Sequence, residues 1–229
     1  MKILMSNDDG VFAKGLAILH ETIASAHDIT VVAPDRNCSG ASNALSLHQP
    51  LRIQRMDSGF YSVNGTPSDC VHLGISRILK DDPELVVSGI NHGANLGDDV
   101  VYSGTVAAAT EGRYMGLPAI AVSLASKKGE HFETAARVVL DIIRKLQSHP
   151  LPANQILNVN VPDIPYDELK GIEVTRQGRR HRAEPMFEQD AGPGTDFHAV
   201  ANGYCSVTPL SVDMTAYQSL DNMKEWLAK

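Results

Sequence analysis

The stretch Met1 to Gly10, MKILMSNDDG, decides the fold class of this chain. Lys2 to Ser6 is a short apolar run that stops at an Asn-Asp-Asp-Gly turn, which is the pattern of a buried strand ending in a turn. We therefore predict that the chain opens with a strand of a covered sheet. The residues just after that strand are Asn7, Asp8 and Asp9.

The next thirty residues predict a helix and a second strand. After Gly15 the apolar residues Leu16, Leu19 and Ile23 recur at helical spacing. Ile29 to Ala33, ITVVA, is a β-branched run that Pro34 closes. Together with the first strand, these segments form a β-α-β unit.

The alternation continues to about residue 150. Its predicted elements are a hairpin over Leu51 to Val63, a helix from Thr66-Pro67 to about Leu79, a strand at Leu85 to Ser88, a helix over Thr105 to Met115, a strand at Ala119 to Val122, and a helix marked by Phe132, Ala136, Val139, Ile143 and Leu146. This pattern predicts an α/β fold: a Rossmann-like, doubly wound, mostly parallel sheet in three layers, with an inserted hairpin.

Beyond Pro150 the pattern loosens. We predict strands at Ile156 to Val161, Ile172 to Val174 and Tyr204 to Thr208, and a final helix over Ala216 to Leu227. With neither an internal repeat nor a clean linker, residues 1–229 read as a single domain. Its core covers about 1–150, and an irregular C-terminal extension of about 151–229 is expected to serve oligomerisation.

Composition excludes several classes of protein. The chain has 229 residues and a formal net charge of -7, which repels nucleic acid. It lacks the apolar run of about 20 residues that a membrane helix needs, and its start does not resemble a secretory signal, so we expect a cytoplasmic protein with no membrane partner. Cys38, Cys70 and Cys205 are widely spaced and odd in number, so we expect reduced thiols and no zinc site.

Polar residues follow three of the predicted strands. Asp8 and Asp9 follow the first, Ser39 lies after the second, and Asn91 and Asn95 lie after the strand at Ser88. In open α/β sheets, ligands bind outside the carboxyl ends of the strands, so these side chains should meet at one edge. Adjacent carboxylates repel unless a cation lies between them, and oxygen ligands suit Mg²⁺, Mn²⁺ or Ca²⁺. The alternative is that Asp8 and Asp9 only form a turn and cap the next helix.

A second candidate site lies at the predicted helix start Tyr102-Ser103-Gly104-Thr105. Backbone N–H groups, hydroxyls and a glycine at a helix N-terminus suit a phosphate group. The alternative is that Ser103 or Thr105 serves only as the N-cap of the helix. Neither a GxGxxG after the first strand nor a P-loop motif occurs. Lys14, Arg36 and His92 are weaker candidates for acid–base or phosphate contacts, and Cys38 has no base to activate it.

Five blocks of sequence resemble the SurE family, the survival proteins of stationary phase. They are SNDDGVFAKG (Ser6 to Gly15), APDRNCSGAS (Ala33 to Ser42), GTPSDCV (Gly65 to Val71), SGINHGANLGDDVVYSGTVAAATEG (Ser88 to Gly112) and DAGPGTDF (Asp190 to Phe197). The blocks are spread over most of the chain, from Ser6 to Phe197, and occur in the order the family has them.

The resemblance implies a metal-dependent phosphomonoesterase that acts on nucleoside 5'- and 3'-monophosphates, with some activity on short polyphosphate. It implies one divalent ion per subunit, Mg²⁺ or Mn²⁺, and a homodimer or homotetramer with exchanged C-terminal segments. On the matching positions the metal ligands would be Asp8, Asp9, Ser39 and Asn91, and the phosphate would face Asn95, Ser103, Gly104 and Thr105.

This sequence departs from the family pattern in one place. A cluster of basic residues lies at Arg176 to Arg182, RQGRRHR. Only Ala183 to Gln189, AEPMFEQ, stand between this arginine cluster and Asp190, where the family usually has a longer, aromatic-rich loop. Such a loop shapes the mouth of a pocket, so base preference and the use of polyphosphate stay open.

The chemistry at phosphorus also has alternatives. Asp8 or Asp9 could accept the proton of an attacking water, or an aspartate could itself attack; water needs fewer assumptions. A phosphatase of the haloacid-dehalogenase type needs Asp-x-Asp, whereas here the pair is adjacent. A non-catalytic sensor that binds a metal and a nucleotide is the other alternative.

Overall fold

Nine strands form one sheet in the part of the chain that the computed structural model describes, residues 1–152, 155–179 and 190–228. The segment Ala183 to Gln189 lies outside these described residues. The strands are β1 (Lys2–Ser6), β2 (Asp28–Pro34), β3 (Ile53–Arg55), β4 (Tyr61–Val63), β5 (Leu85–His92), β6 (Ala119–Leu124), β7 (Ile156–Val161), β8 (Ile172–Val174) and β9 (Cys205–Leu210).

The strands lie in the order β3-β4-β2-β1-β5-β6-β7-β9-β8. The pairs from β4 across to β7 are parallel, as is β8 with β9, while β3 with β4 and β7 with β9 are antiparallel. This confirms the mostly parallel sheet and the hairpin. The hairpin is also part of the sheet, because β4 pairs with β2.

Six α-helices accompany the strands in this part of the chain. They are α1 (Lys14–Ile23), α2 (Pro67–Leu73), α3 (Gly104–Tyr114), α4 (Phe132–Ser148), α5 (Asp196–Ala201) and α6 (Leu220–Leu227). The predicted helix cap at Thr66 is present: its hydroxyl accepts a hydrogen bond from the Asp69 N–H at 3.1 Å, and the Asp69 carboxylate accepts one from the Thr66 N–H at 2.8 Å. After α2 the chain continues as a π-helical turn to Ile78, close to the predicted end at Leu79.

Helices cover both faces of the sheet, which confirms the three layers. Side chains alternate along a strand, so Ile3 and Met5 pack in one core with α1 and α4, while Leu4 packs in another with α2 and α3. α1 and α3 therefore lie on opposite faces, on either side of β1 and β5. The N-termini of both helices flank the carboxyl ends of these central strands.

β5 is longer than the sequence indicated. It runs to His92 with a register shift between Ser88 and Asn91, so the predicted end of this strand at Ser88 was wrong. Gly89 has a φ of +136°, and a Cβ there would lie 2.4 Å from the Val122 carbonyl oxygen, so only glycine lets the strand continue at this point. Asn91 therefore lies in the strand and pairs with Ser123.

The chain after residue 150 differs from prediction in its helices. α5 was not predicted, although Thr195 caps it by accepting a hydrogen bond from the His198 N–H at 3.2 Å. α6 begins at Leu220, after a 3₁₀ turn over Tyr217–Ser219, rather than at Ala216. The predicted strands are present as β7, β8 and β9, and they extend the central sheet.

The C-terminal segment keeps large apolar side chains in contact with solvent. Met214 is 92% exposed, Trp226 is 68% exposed and Leu227 is 72% exposed. Among the described residues, the helices are all too short or too polar to cross a bilayer.

Candidate functional site

The turn after β1 is held by Asn7 rather than by the two aspartates. The Asn7 side chain donates a hydrogen bond to the Gly10 carbonyl oxygen at 3.0 Å and accepts one from the Gly10 N–H at 3.2 Å. The N-cap of α1, Ala13, has no side-chain cap. The turn and the helix start thus do not depend on side-chain hydrogen bonds from Asp8 or Asp9, which argues against the turn-and-cap role that was the alternative for this pair.

Asp8 is a buried carboxyl group, 4% exposed. Its Oδ1 accepts a hydrogen bond from the Thr105 hydroxyl at 2.5 Å, and its backbone oxygen accepts one from the Cys38 N–H at 2.7 Å. Burial, together with the neighbouring charge of Asp9, raises the pKa of Asp8 to about 6, against the favourable contact with Thr105. Asp8 therefore joins the loop after β2 to the start of α3.

Asp9 joins the same loop to β5. Its Oδ2 accepts a hydrogen bond from the His92 N–H at 3.0 Å, and its Oδ1 accepts one from the Asn37 side chain at 3.4 Å. Burial raises the pKa of Asp9, although the His92 N–H acts in the opposite direction. The pKa values of these two adjacent carboxyl groups are both raised, so a cation bound between them would stabilise their ionised forms.

Ser39 and Asn91 lie in the two segments that Asp9 connects. Ser39 is exposed, and its N–H donates to the Asn37 side-chain oxygen at 2.8 Å. The Asn91 amide nitrogen donates to the Gly93 carbonyl oxygen at 2.8 Å, so the Asn91 Oδ1 is the atom left to accept or to coordinate. The structure thus brings the predicted ligand set to one edge of the sheet. Within the described ranges it contains no cluster of three His, Cys, Asp or Glu side chains, and the predicted set draws half its oxygens from Ser and Asn.

The start of α3 touches Asp8 closely. Ser103 is the N-cap, and its hydroxyl accepts a hydrogen bond from the Val106 N–H at 3.1 Å. At Gly104, an added Cβ would lie 2.7 Å from the Asp8 Cβ and 2.9 Å from Oδ2. Gly104 and Thr105, two of the predicted phosphate residues, are therefore direct neighbours of the predicted metal ligand Asp8. Ser103 also performs the capping role that was its simpler alternative.

Asn95 is held by buried amides on β7. Its N–H donates to the Asn160 side chain at 2.8 Å, and its carbonyl oxygen accepts from Asn158 at 2.9 Å and from Asn160 at 3.0 Å. Its own amide nitrogen donates to the Ser123 hydroxyl at 2.8 Å. Ser123, Asn158 and Asn160 were not predicted, and the signal for them was polar residues inside the apolar runs of β6 and β7.

Asp196 is a second support that sequence reasoning missed. It is fully buried, and its carboxylate accepts hydrogen bonds from the N–H groups of Gly97 at 2.7 Å, Gly178 at 2.8 Å and Phe197 at 2.9 Å. It therefore ties the loop that carries Asn95 to the C-terminal part of the chain. In the sequence, the only signal for Asp196 was its position directly after a threonine that could cap a helix.

The weaker candidates lie at the margin of this site. His92 contributes its N–H to Asp9, and its ring Nε2 lies 2.8 Å from the Lys127 carbonyl oxygen. Arg36 pairs with Asp35 at 2.8 Å, and the Lys14 ammonium lies 5.4 Å from the centre of the Phe132 ring. Burial raises the pKa of the Cys38 thiol, which fits the expectation that it is no nucleophile.

We expect Asn160→Leu to impair activity more than it impairs folding. The change removes the acceptor of the Asn95 N–H and one donor to its carbonyl oxygen, so the loop that carries Asn95 loses its position. Phosphate release should fall about tenfold or more. Thr208→Val is the matched control, because in the described chain the buried Thr208 hydroxyl bonds only to Thr175, at 2.7 Å, and forms no hydrogen bond with Asn95. If Asn160→Leu and Thr208→Val are equally stable and lose equal activity, the role of Asn160 in positioning Asn95 is contradicted.

The open, mostly parallel sheet defines a doubly wound α/β protein. Its candidate site, with a buried carboxyl group beside a helix N-terminus, lies at the carboxyl ends of the central strands, where the strand order reverses. The family model described as Survival protein SurE matches residues 3–184. The chain belongs to the SurE family.

Several named proteins resemble the chain over essentially its full length. A protein of Pseudoalteromonas atlantica named 5'-nucleotidase SurE is 66% identical and covers 100% of both chains. A protein of Methylococcus capsulatus with the same name is 55% identical over 99% of this chain and 98% of its own. The crystal structure of the SurE protein from Aquifex aeolicus superposes with a TM-score of 0.90, at 42% identity over 100% of both chains.

Proposed function

We propose that this chain is a nucleotide phosphatase that hydrolyses nucleoside 5'-monophosphates to nucleoside and phosphate. The observation that carries the proposal is the contact between Asp8 and the start of α3, because it places an acidic pair beside a helix N-terminus. The names of the relatives, which are 53–66% identical over essentially the full chain, support the same activity.

We further propose that one divalent ion, Mg²⁺ or Mn²⁺, binds at Asp8, Asp9, Ser39 and Asn91. The chemistry of the donors fits such an ion: two carboxylates, an amide oxygen and a hydroxyl are hard oxygen ligands. Both carboxyl groups have raised pKa values, and a bound cation would favour their ionised forms. When bound, the ion would polarise a phosphoryl oxygen and lower the pKa of a water molecule.

The residues of the chain would then bind and orient the phosphate. The N–H groups at the start of α3, with Gly104 allowing close approach, would stabilise charge on the phosphoryl oxygens. The side-chain amide of Asn95, fixed by β6 and β7, would contact the same group. Asp8 or Asp9 would accept the proton of the attacking water. Thr105 would keep Asp8 in place through its hydroxyl.

The same proposal extends to finer properties. Nucleoside 3'-monophosphates and short polyphosphate would be further substrates of this site. The exposed apolar side chains of the C-terminal segment support a homodimer or homotetramer formed through that segment. A cytoplasmic location is consistent with three free cysteines.

Phosphate release from a panel of nucleoside monophosphates tests the proposal. We expect release with Mn²⁺ or Mg²⁺, suppression by EDTA, and recovery when the metal is added back in excess. Asp9→Asn should be inactive under every condition, because it removes one of the two charges that would hold the cation. Binding of the nucleotide without any release would favour a sensor. Release that persists in EDTA would refute metal dependence, and a labelled phosphoenzyme would refute attack by water.

A further inference from the structure

A cavity of about 420 Å³ lies directly beside Asp9, on the opposite side from α3. Its walls come from the start of α1 and from the loop after β6. Lys14, His92, Lys128 and Phe132 line it, and the Asp9 carboxyl group forms its boundary with the candidate site. The function proposed above uses none of these residues except Asp9.

The cavity is locally positive in a chain with a formal net charge of -7. Lys14 and Lys128 are both exposed, and neither forms an ion pair with a described residue. The Asp9 oxygens are already engaged, with the His92 N–H and with Asn37. The first turn of α1 contains no acidic residue, so its positive end also faces this side.

Two positive helix ends therefore flank the acidic pair. α3 approaches Asp8 from one face of the sheet, and α1 begins beside Asp9 on the other face. A substrate with a single phosphate would need only the α3 side. The Lys14 and Lys128 ammonium groups would remain without an anionic partner in that complex.

We propose that the cavity binds a second phosphate group carried by the substrate, so that the enzyme accepts nucleotides with two separate phosphates. One phosphate lies at α3 beside Asp8, and the other lies between Lys14 and Lys128. This inference rests on the proposed function, because it concerns the substrate of the same site. It adds specificity through two charge-assisted contacts outside the metal-binding residues.

The test compares adenosine 3',5'-bisphosphate with adenosine 5'-monophosphate. The ratio of their kcat/KM values is measured for the native protein and for Lys14→Met/Lys128→Met. We expect the double substitution to lower this ratio about tenfold or more, since each lost contact to a charged group weakens binding of the bisphosphate. Lys127→Met is the matched control, because Lys127 is an exposed neighbour that does not line the cavity, and it should leave the ratio at the native value.

The outcomes separate the two proposals. An unchanged ratio in the double variant overturns the second phosphate site, as does an equal fall with Lys127→Met. A double variant that alters only inhibition by added inorganic phosphate also overturns it, since the cavity would then hold a free ion. If the native protein hydrolyses neither nucleotide, the proposed function has failed. In that case, calorimetry measures the affinity of the bisphosphate for the native and the doubly substituted protein, which tests the second phosphate site independently of catalysis. Equal affinities would refute that site.

Discussion

Asp8→Asn should lower phosphate release about a thousandfold while making the metal-free protein more stable at pH 8. The loss of activity follows because an amide cannot supply the charge that a cation and a reacting phosphate require at this point. The gain in stability follows because Asp8 is buried, and its pKa is raised from 3.8 to about 6. At pH 8 the native protein must keep this carboxylate ionised in a poorly solvated position.

The sign of the pH dependence follows from the same pKa. A carboxyl group whose pKa is higher in the folded protein adds stability below pH 3.8, and that contribution is lost as the pH rises through about 6. Asn does not titrate, so the difference in unfolding free energy between variant and native protein should be roughly 3 kcal/mol larger at pH 8 than at low pH, and fall to about 0.5 kcal/mol near pH 4. Urea unfolding in EDTA at both pH values measures it.

A purely structural role for Asp8 predicts the opposite result. If the carboxylate mainly stabilised the turn, Asp8→Asn would destabilise the metal-free protein at pH 8, and activity would fall only with the folded fraction. Adding Mn²⁺ provides the internal control: it should raise the unfolding midpoint of the native protein and leave that of the variant nearly unchanged. A variant that keeps a tenth of native activity would contradict the proposed role.

Gly104→Ala should reduce kcat/KM about a hundredfold. The added Cβ would lie 2.7 Å from the Asp8 Cβ, which lies in the turn after β1 and cannot rotate away, because the backbone fixes the position of a Cβ atom. α3 must therefore move relative to Asp8, and the 2.5 Å contact between Thr105 and Asp8 is lost. Displacements of this size at a reacting centre cost about two orders of magnitude in rate. Steady-state kinetics with a nucleoside monophosphate measure the effect.

Helix propensity makes this substitution informative. Alanine is a better helix former than glycine by about 1 kcal/mol in a helix interior. Gly104 is the first residue of α3, so without the contact to Asp8 the change would not destabilise the helix. We expect the free energy of unfolding of Gly104→Ala to fall by about 1–3 kcal/mol instead, because the added methyl group overpacks the contact with Asp8. Gly192→Ala is the control, because its Cβ would have no neighbour nearer than 3.9 Å. Native activity in Gly104→Ala, with native stability, would show that α3 does not need to approach Asp8.

Local spacing was sufficient to predict the acidic pair and its surroundings in the fold. The run Lys2 to Ser6 ends in polar residues, and the β-α-β alternation places those residues at the reversal of strand order. The extent of β5 was not predictable in this way. Gly89 resembles a loop glycine in sequence, and its place inside the strand depends on the Val122 carbonyl oxygen of the neighbouring strand.

The roles at the start of α3 needed the structure as well. Ser103 and Thr105 are interchangeable candidates in the sequence, since either hydroxyl suits a cap or a ligand. In the fold Ser103 caps the helix, while Thr105 donates to Asp8. The polar residues Asn158 and Asn160 were visible in the sequence of β7, but their hydrogen bonds to Asn95 could not be predicted, because no local rule connects a loop to a distant strand.

By itself, the sequence determined the parallel sheet, the order of its helices and strands through residue 150, and the positions of the candidate site residues, because these depend on periodicities of two and 3.6 residues and on turn chemistry within a few positions. Only the tertiary structure decided which of those side chains contact one another. The bond from Thr105 to Asp8 joins residues 97 positions apart, and that from Asn95 to Asn160 spans 65. Such contacts form through the packing of whole layers, which short-range patterns do not encode.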